Sequence, residues 1–228
     1  MQRRRDNIHD SAPLRRLVGD QVRALAPRLQ RCFGTHGLAL GAGVEAVAPA
    51  LPMLANWTAL RVAGDRYAGD VLAAVDEPLP FVDDAFDLVL LCHALESVPH
   101  ASALLDEAVR VLAPGGTLAL GGMHPLSGWA PWFYWHARGT PLALRTPLRV
   151  GSELRRAGLE VEQVLRTGNV LPGLAAAREV PTSLLGGGYV LIARKRRRMV
   201  TPLRIKPAPV RVPASGRLSP GTRRSAVS

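Results

Sequence analysis

The feature that most constrains the fold is the run from residue 86 to residue 123. Residues 86–92 read FDLVLLC, apolar apart from Asp87, which is the pattern of a strand covered on both faces in a parallel sheet. Residues 102–112 then put Leu104, Leu105, Ala108, Val109 and Leu112 on one helical face and Asp106, Glu107 and Arg110 on the other. Pro114-Gly115-Gly116 stops that helix, through the missing amide of proline and the φ freedom of glycine. Residues 117–123 return as a second buried strand. A strand, a crossover helix and a strand of these lengths make a βαβ unit, so the sheet is expected to be parallel here and the crossover right-handed.

The flanking segments extend this pattern. Ser11 is placed to cap a helix, spanning 11–31, in which Leu14, Leu17, Val18, Val22, Leu25 and Leu29 recur at helical spacing, with Pro27 expected to kink or end it. Residues 37–43, GLALGAG, suit a buried strand entering a glycine turn, and Pro49 and Pro52 predict a short or broken helix after it. Strands are expected over 58–63, 71–75, 159–165 and 189–193, and a short helix over 151–157. The block 129–135, WAPWFYW, gathers five of the eleven aromatic residues.

A chain of 228 residues, 47% of them hydrophobic, accommodates one domain with a full core. The net charge of +11 is unevenly placed: eleven basic residues and no acid follow from Arg194 onward, leaving 18 basic against 18 acidic residues before it. We therefore expect a neutral folded domain over 1–193 and a disordered basic tail over 194–228, where five prolines and few large apolar groups cannot offset the entropy of ordering. Such a tail meets polyanions by non-specific electrostatics, either nucleic acid or anionic lipid, or is simply solvated. Arg3, Arg4 and Arg5 precede no apolar run of the secretory kind, and no run of about 20 apolar residues suits a transmembrane segment. A cytoplasmic protein with Cys32 and Cys92 reduced is the expectation.

Four ordered motifs carry a family resemblance: Leu79-Pro80-Phe81; Asp84 with Phe86-Asp87-Leu88-Val89; His93-Ala94-Leu95-Glu96; and Arg110-Val111-Leu112-Ala113-Pro114-Gly115-Gly116. In this order and at these spacings they resemble the class I S-adenosylmethionine-dependent methyltransferases, specifically the bacterial branch called type 11. Gly188 to Lys195, reading GYVLIARK, is similar to the last strand of that family. The resemblance implies an α/β fold with a doubly wound, mostly parallel seven-stranded sheet of order 3-2-1-4-5-7-6 and one antiparallel edge strand.

It also implies S-adenosyl-L-methionine as cofactor. Gly41, Ala42 and Gly43 would hold its methionine part, although Glu45 stands where the family pattern has another glycine. Asp65 corresponds best to the acid that accepts the ribose hydroxyls and Asp76 to the acid near the adenine, with Asp70 a poorer alternative; each reads equally well as an exposed loop acid. Cys92 and His93 fall at the end of the fourth strand, beside cofactor and acceptor. His93 is a weak catalytic candidate, as a base or as a pocket residue. His93-x-x-Glu96, with His100 and His124 apart from it, gives no convincing metal site. Methyl transfer needs alignment and dryness more than acid–base machinery, so the resemblance implies direct displacement onto a small organic acceptor. A protein that kept the fold and lost catalysis, acting as a binding or regulatory protein, is the alternative implied by the altered glycine loop. The aromatic block either contacts an acceptor or membrane, or covers the sheet.

Overall fold

The computed structural model describes residues 11–42, 54–136, 143–172 and 186–196. The elements are α1 (Ala12–Leu29), β1 (Gly34–Gly41), β2 (Leu54–Ala63), β3 (Arg66–Gly69), β4 (Ala73–Ala74), β5 (Phe86–Cys92), α2 (Ala101–Val111), β6 (Leu112–Met123), α3 (Trp129–His136), α4 (Pro147–Arg156), β7 (Leu159–Thr167) and β8 (Gly188–Lys195). One eight-stranded sheet runs β4-β3-β2-β1-β5-β6-β8-β7. β1 pairs in parallel with β2 and with β5, and β5 pairs in parallel with β6.

The two sides of these central strands are buried by different helices. Leu38, Leu40, Val89, Leu91, Leu118 and Leu120 share a cluster with Leu104, Leu105 and Ala108 of α2 and Val150 and Leu154 of α4. Ala39, Leu88, Leu90 and Cys92 alternate to the opposite face and meet Leu25 and Leu29 of α1. Strand period 2 therefore divides one apolar run between two cores, and each fully buried leucine contributes about 2 kcal/mol. α1 runs past Pro27 to Leu29, so the proline falls in its last turn. Ser11 sits at the N-cap, but its side chain makes no cap hydrogen bond.

The α/β class is as expected, whereas strand number and connection differ in two places. Residues 64–70 are too few for a parallel crossover, which takes a dozen or more residues. β2 instead turns at Gly64, whose φ is +70°, and Asp65, and returns as the antiparallel β3. The expected strand over 71–75 shrinks to the two-residue β4, antiparallel to β3. On the other side, the antiparallel strand is β8, between β6 and β7, so the edge itself is β7.

Three of the four motif segments, those around Leu79, Asp84 and Arg110, lie together at the amino ends of the strands. Arg110 donates to the carbonyls of Leu79 at 3.0 Å and Phe81 at 2.9 Å, and pairs with Glu107, whose Oε2 accepts the Leu79 amide at 2.8 Å. β8 extends to Lys195, past the boundary expected at 193, because Lys195 Nζ donates to the Val109 carbonyl and to Asp84. By contacts the chain divides into Met1–Arg198 and Met199–Ser228, and residues 197–228 lie outside the described set.

Candidate active site

Because β1, β5 and β6 are parallel, their carboxyl ends share one rim, the edge over which open α/β sheets bind ligands. Gly41 closes β1 with φ +119°, and a Cβ added there would stand 2.0 Å from the Cys92 carbonyl oxygen. Only glycine tolerates both the dihedral and the approach. The Ala42 amide then donates to that same carbonyl at 2.7 Å, tying the end of β1 to the end of β5. Gly43, Glu45 and the proline-broken segment after them lie outside the described residues.

At the end of β5, His93 has a left-handed backbone with φ +51° and is fully buried. Left-handed non-glycine residues concentrate at functional sites. Its amide donates to Gly121 O at 2.8 Å, and its Nε2 lies 2.8 Å from Oε1 of Gln21, which reaches in from α1. Gln21 Nε2 donates to the carbonyls of Gly122 at 3.0 Å and Tyr189 at 3.3 Å. These two bonds orient the amide so that Oε1 faces the imidazole, and Nε2 of His93 must carry the hydrogen.

Two glycines make room for this arrangement, one on each face of β6. A Cβ on Gly121 would meet Gln21 Oε1 at 2.8 Å; one on Gly122 would meet Glu96 Oε1 at 2.7 Å and the Tyr189 hydroxyl oxygen at 2.8 Å. Glu96 is buried, and its Oε1 accepts the Met123 amide at 2.7 Å while Oε2 lies 3.9 Å from His93 Nδ1. Burial pushes the Glu96 carboxyl up to about 7, against the opposing pull of the Met123 amide and of Arg145. The buried phenol of Tyr189 is also raised, by burial and then by Glu96. A protonated Glu96 carboxyl avoids leaving a bare anion under this apolar cover.

The expected acids divide in two. Asp65 and Asp76 are both exposed, and the hairpin brings them to one end: the Val75 amide donates to Asp65 O at 2.9 Å, just past the carboxyl end of β2. Neither side chain has a hydrogen bond or ion pair among the described residues. Asp70 is occupied, since its Oδ2 accepts the Ala59 amide at 2.8 Å. The Cys92 side chain packs into the α1 core and burial raises its thiol to about 12, so its carbonyl is the atom available at the rim.

A roof of apolar side chains covers this end of the sheet. Leu14, Leu17 and Val18 of α1 and Trp129 and Phe133 of α3 form one cluster with Ala42 and Met123, at the ends of β1 and β6. The indole of Trp129 donates to Asn169 O at 2.9 Å, anchoring α3. The aromatic block thus serves as cover on one side, while Tyr134 and Trp135 remain exposed on the other.

Residues 36–120 match the family model described as "Methyltransferase domain". Over these residues the chain is similar to the methyltransferase domain family. It is similar to a phthiotriol/phenolphthiotriol dimycocerosates methyltransferase of Mycobacterium ulcerans, at 38% identity over 95 residues that cover 42% of this chain and 34% of that protein. It is also similar to a malonyl-[acyl-carrier protein] O-methyltransferase of Erwinia billingiae, at 32% identity over 142 residues and 55% of each chain. The chain therefore spans between about a third and about half of the length of these relatives. Among solved structures, a SAM-dependent methyltransferase of Archaeoglobus fulgidus shares the fold with TM-score 0.57 and 16% identity, over 79% of this chain and 94% of that one.

The family implies S-adenosylmethionine as the cofactor of the methyltransferase domain, and the carboxyl-end rim is where an open α/β sheet binds its ligands. Gly41 leaves the backbone bare of a side chain, and Asp65 and Asp76 offer carboxylates with no other partner among the described residues. Gln21, Glu96, Tyr189 and the pair Gly121-Gly122 did not emerge from the sequence as site residues. Two signals pointed to them: a lone glutamine inside the apolar stripe of α1, and paired glycines inside a buried strand, which mark a close approach.

Proposed function

We propose that the methyltransferase domain moves the methyl group of S-adenosylmethionine, by direct displacement, onto a small organic acceptor whose reactive atom sits under an apolar roof. The carrying observation is that Leu14, Leu17, Val18, Trp129 and Phe133 pack directly on Ala42 and Met123 beside the end of β5. The two relatives named above act on a lipid and on an acyl-carrier-protein-linked malonyl group, consistent with an acceptor carried on an apolar chain.

When bound, the sulfonium supplies an already activated methyl group, so the protein's tasks are orientation and exclusion of water. In this reading Gly41, Ala42 and Gly43 hold the methionine end, Asp65 accepts the ribose hydroxyls and Asp76 lies near the adenine. His93 is a positioning residue: with Nε2 bonded to Gln21 and the ring buried, it fixes the rim between β5 and β6. The Cys92 carbonyl holds the turn at Ala42. Calorimetry with S-adenosylhomocysteine, followed by transfer of labelled methyl to acyl thioesters and isoprenoid phenols, tests this proposal. Binding with transfer supports it; no heat at millimolar ligand removes its basis.

A second reading, a catalytically eroded binding or regulatory protein, is favoured by the hairpin, which leaves both ribose-side and adenine-side acids in exposed turns. Tight donor binding with no transfer to any acceptor would select it.

A further inference from the structure

At the amino ends of the parallel strands, opposite the rim, the structure has a pocket of about 460 Å³ between the last turn of α1, the start of β6 and the end of β8. Three arginines are among its lining residues, Arg28, Arg31 and Arg194. Arg28 and Arg31 make no side-chain hydrogen bond or ion pair among the described residues, and Arg194 uses only Nε, on Gly115 O at 3.2 Å.

The lining also carries two acids, Asp87 and Glu162, so its formal charge is three cations against two anions. Asp87 Oδ2 is held by the amides of Thr35 at 2.8 Å and His36 at 3.2 Å, and Glu162 is exposed and pairs with none of the three arginines. Cys32, also in the wall, has its thiol raised by burial and adds no anion. Phe33, 72% exposed, stands at the same pocket.

We infer that this pocket binds the phosphate group of a small organic phosphate whose apolar or aromatic part rests on Phe33. Planar guanidinium forks match phosphate oxygens in pairs, and three arginines against two carboxylates, one of them already held by backbone amides, leave the concavity net cationic. The site is separate from the rim and does not depend on the methyl-transfer reading.

The test is calorimetry on the full chain with phenyl phosphate, and with inorganic phosphate for comparison. We expect phenyl phosphate to bind more tightly than inorganic phosphate. Arg28→Gln with Arg31→Gln, or Arg194→Gln, should weaken it by roughly tenfold or more. Phe33→Ala should erase the preference for the phenyl ester. Unchanged melting temperature and unchanged binding of S-adenosylhomocysteine in these variants show that fold and rim are intact.

A full-chain control, Arg204→Gln with Arg211→Gln and Arg217→Gln, should bind as the parent does. Phosphatidic acid vesicles form the second arm. Retention on vesicles that is lost in the Arg28, Arg31 variant, without binding of phenyl phosphate, assigns the phosphate to a lipid headgroup. Equal affinity in the parent and the pocket variants, or loss confined to the 204, 211, 217 control, overturns the inference.

Discussion

The two halves of the rim are built in opposite ways. Between β1, β5 and β6, the polar side chains lie buried under apolar cover: Gln21 bonds to the carbonyls of Gly122 and Tyr189 and to His93, the His93 amide donates to the Gly121 carbonyl, and Glu96 Oε1 accepts the Met123 amide. At the end of β2 and β3, the carboxylates of Asp65 and Asp76 stand exposed on a tight hairpin. The buried half couples chemistry to stability, because its polar groups have no water to fall back on. The exposed half can bind a ligand without holding the fold. Substitutions on the first side should therefore cost folding, and those on the second should cost binding alone.

Gly41→Ala should give the largest effect. The new methyl would overlap the Cys92 carbonyl at 2.0 Å and meet a positive φ, so a loss of at least about 3 kcal/mol in urea unfolding is expected. A loss below about 1 kcal/mol would show that β1 and β5 do not meet so closely.

Gln21→Leu comes next. It strands the carbonyls of Gly122 and Tyr189 and the His93 imidazole N–H, for a loss of about 2 to 4 kcal/mol. The neighbouring, partly buried Val22→Ala should cost about 1 kcal/mol, and equal losses at the two positions would dissolve the contrast between them.

Glu96 sharpens the comparison through pH. Its folded carboxyl titrates at about 7 against an ordinary 4.5, so the folded state holds the proton more tightly than the unfolded one. Stability from this group is complete below about pH 4.5 and declines as pH rises to about 7, by roughly 3 kcal/mol in all, then levels off. Glu96→Gln keeps the acceptor for the Met123 amide and should flatten that decline. A parent whose stability is level over this window would refute the buried proton.

The smallest effect on folding belongs to Asp65→Asn and Asp76→Asn, each within about 0.5 kcal/mol of the parent. Calorimetry should nonetheless show S-adenosylhomocysteine weakened by about tenfold in Asp65→Asn, an effect of about 1.4 kcal/mol. Unchanged affinity in both variants would remove these carboxylates from the donor site.

How legible was this contrast in the sequence? The parallel strands were, since FDLVLLC alternates Leu88 and Leu90 to one helix layer and Val89 and Leu91 to the other. The ordered motifs were as well, and Arg110 shows why they travel together: its guanidinium holds the segment around Leu79 and Phe81. The hairpin at Gly64-Asp65 was legible in principle, from the short spacing between β2 and the next apolar run, although the family pattern suggested a crossover there. The roles of Gln21, Glu96 and Tyr189 were not, because they arise from contacts across 101, 27 and 168 positions of sequence.

By itself the sequence determined the period-2 and helical patterns, hence a parallel α/β sheet with helices on both faces, since local periodicity dictates which face of each element must leave water. It also placed the excess charge at one end. Only the tertiary structure decided which polar side chains meet. Whether a carboxyl beside a histidine is a solvated pair or a buried proton holder depends on what covers it, and that cover is assembled from α1, α3 and β8, elements whose contact no local pattern encodes.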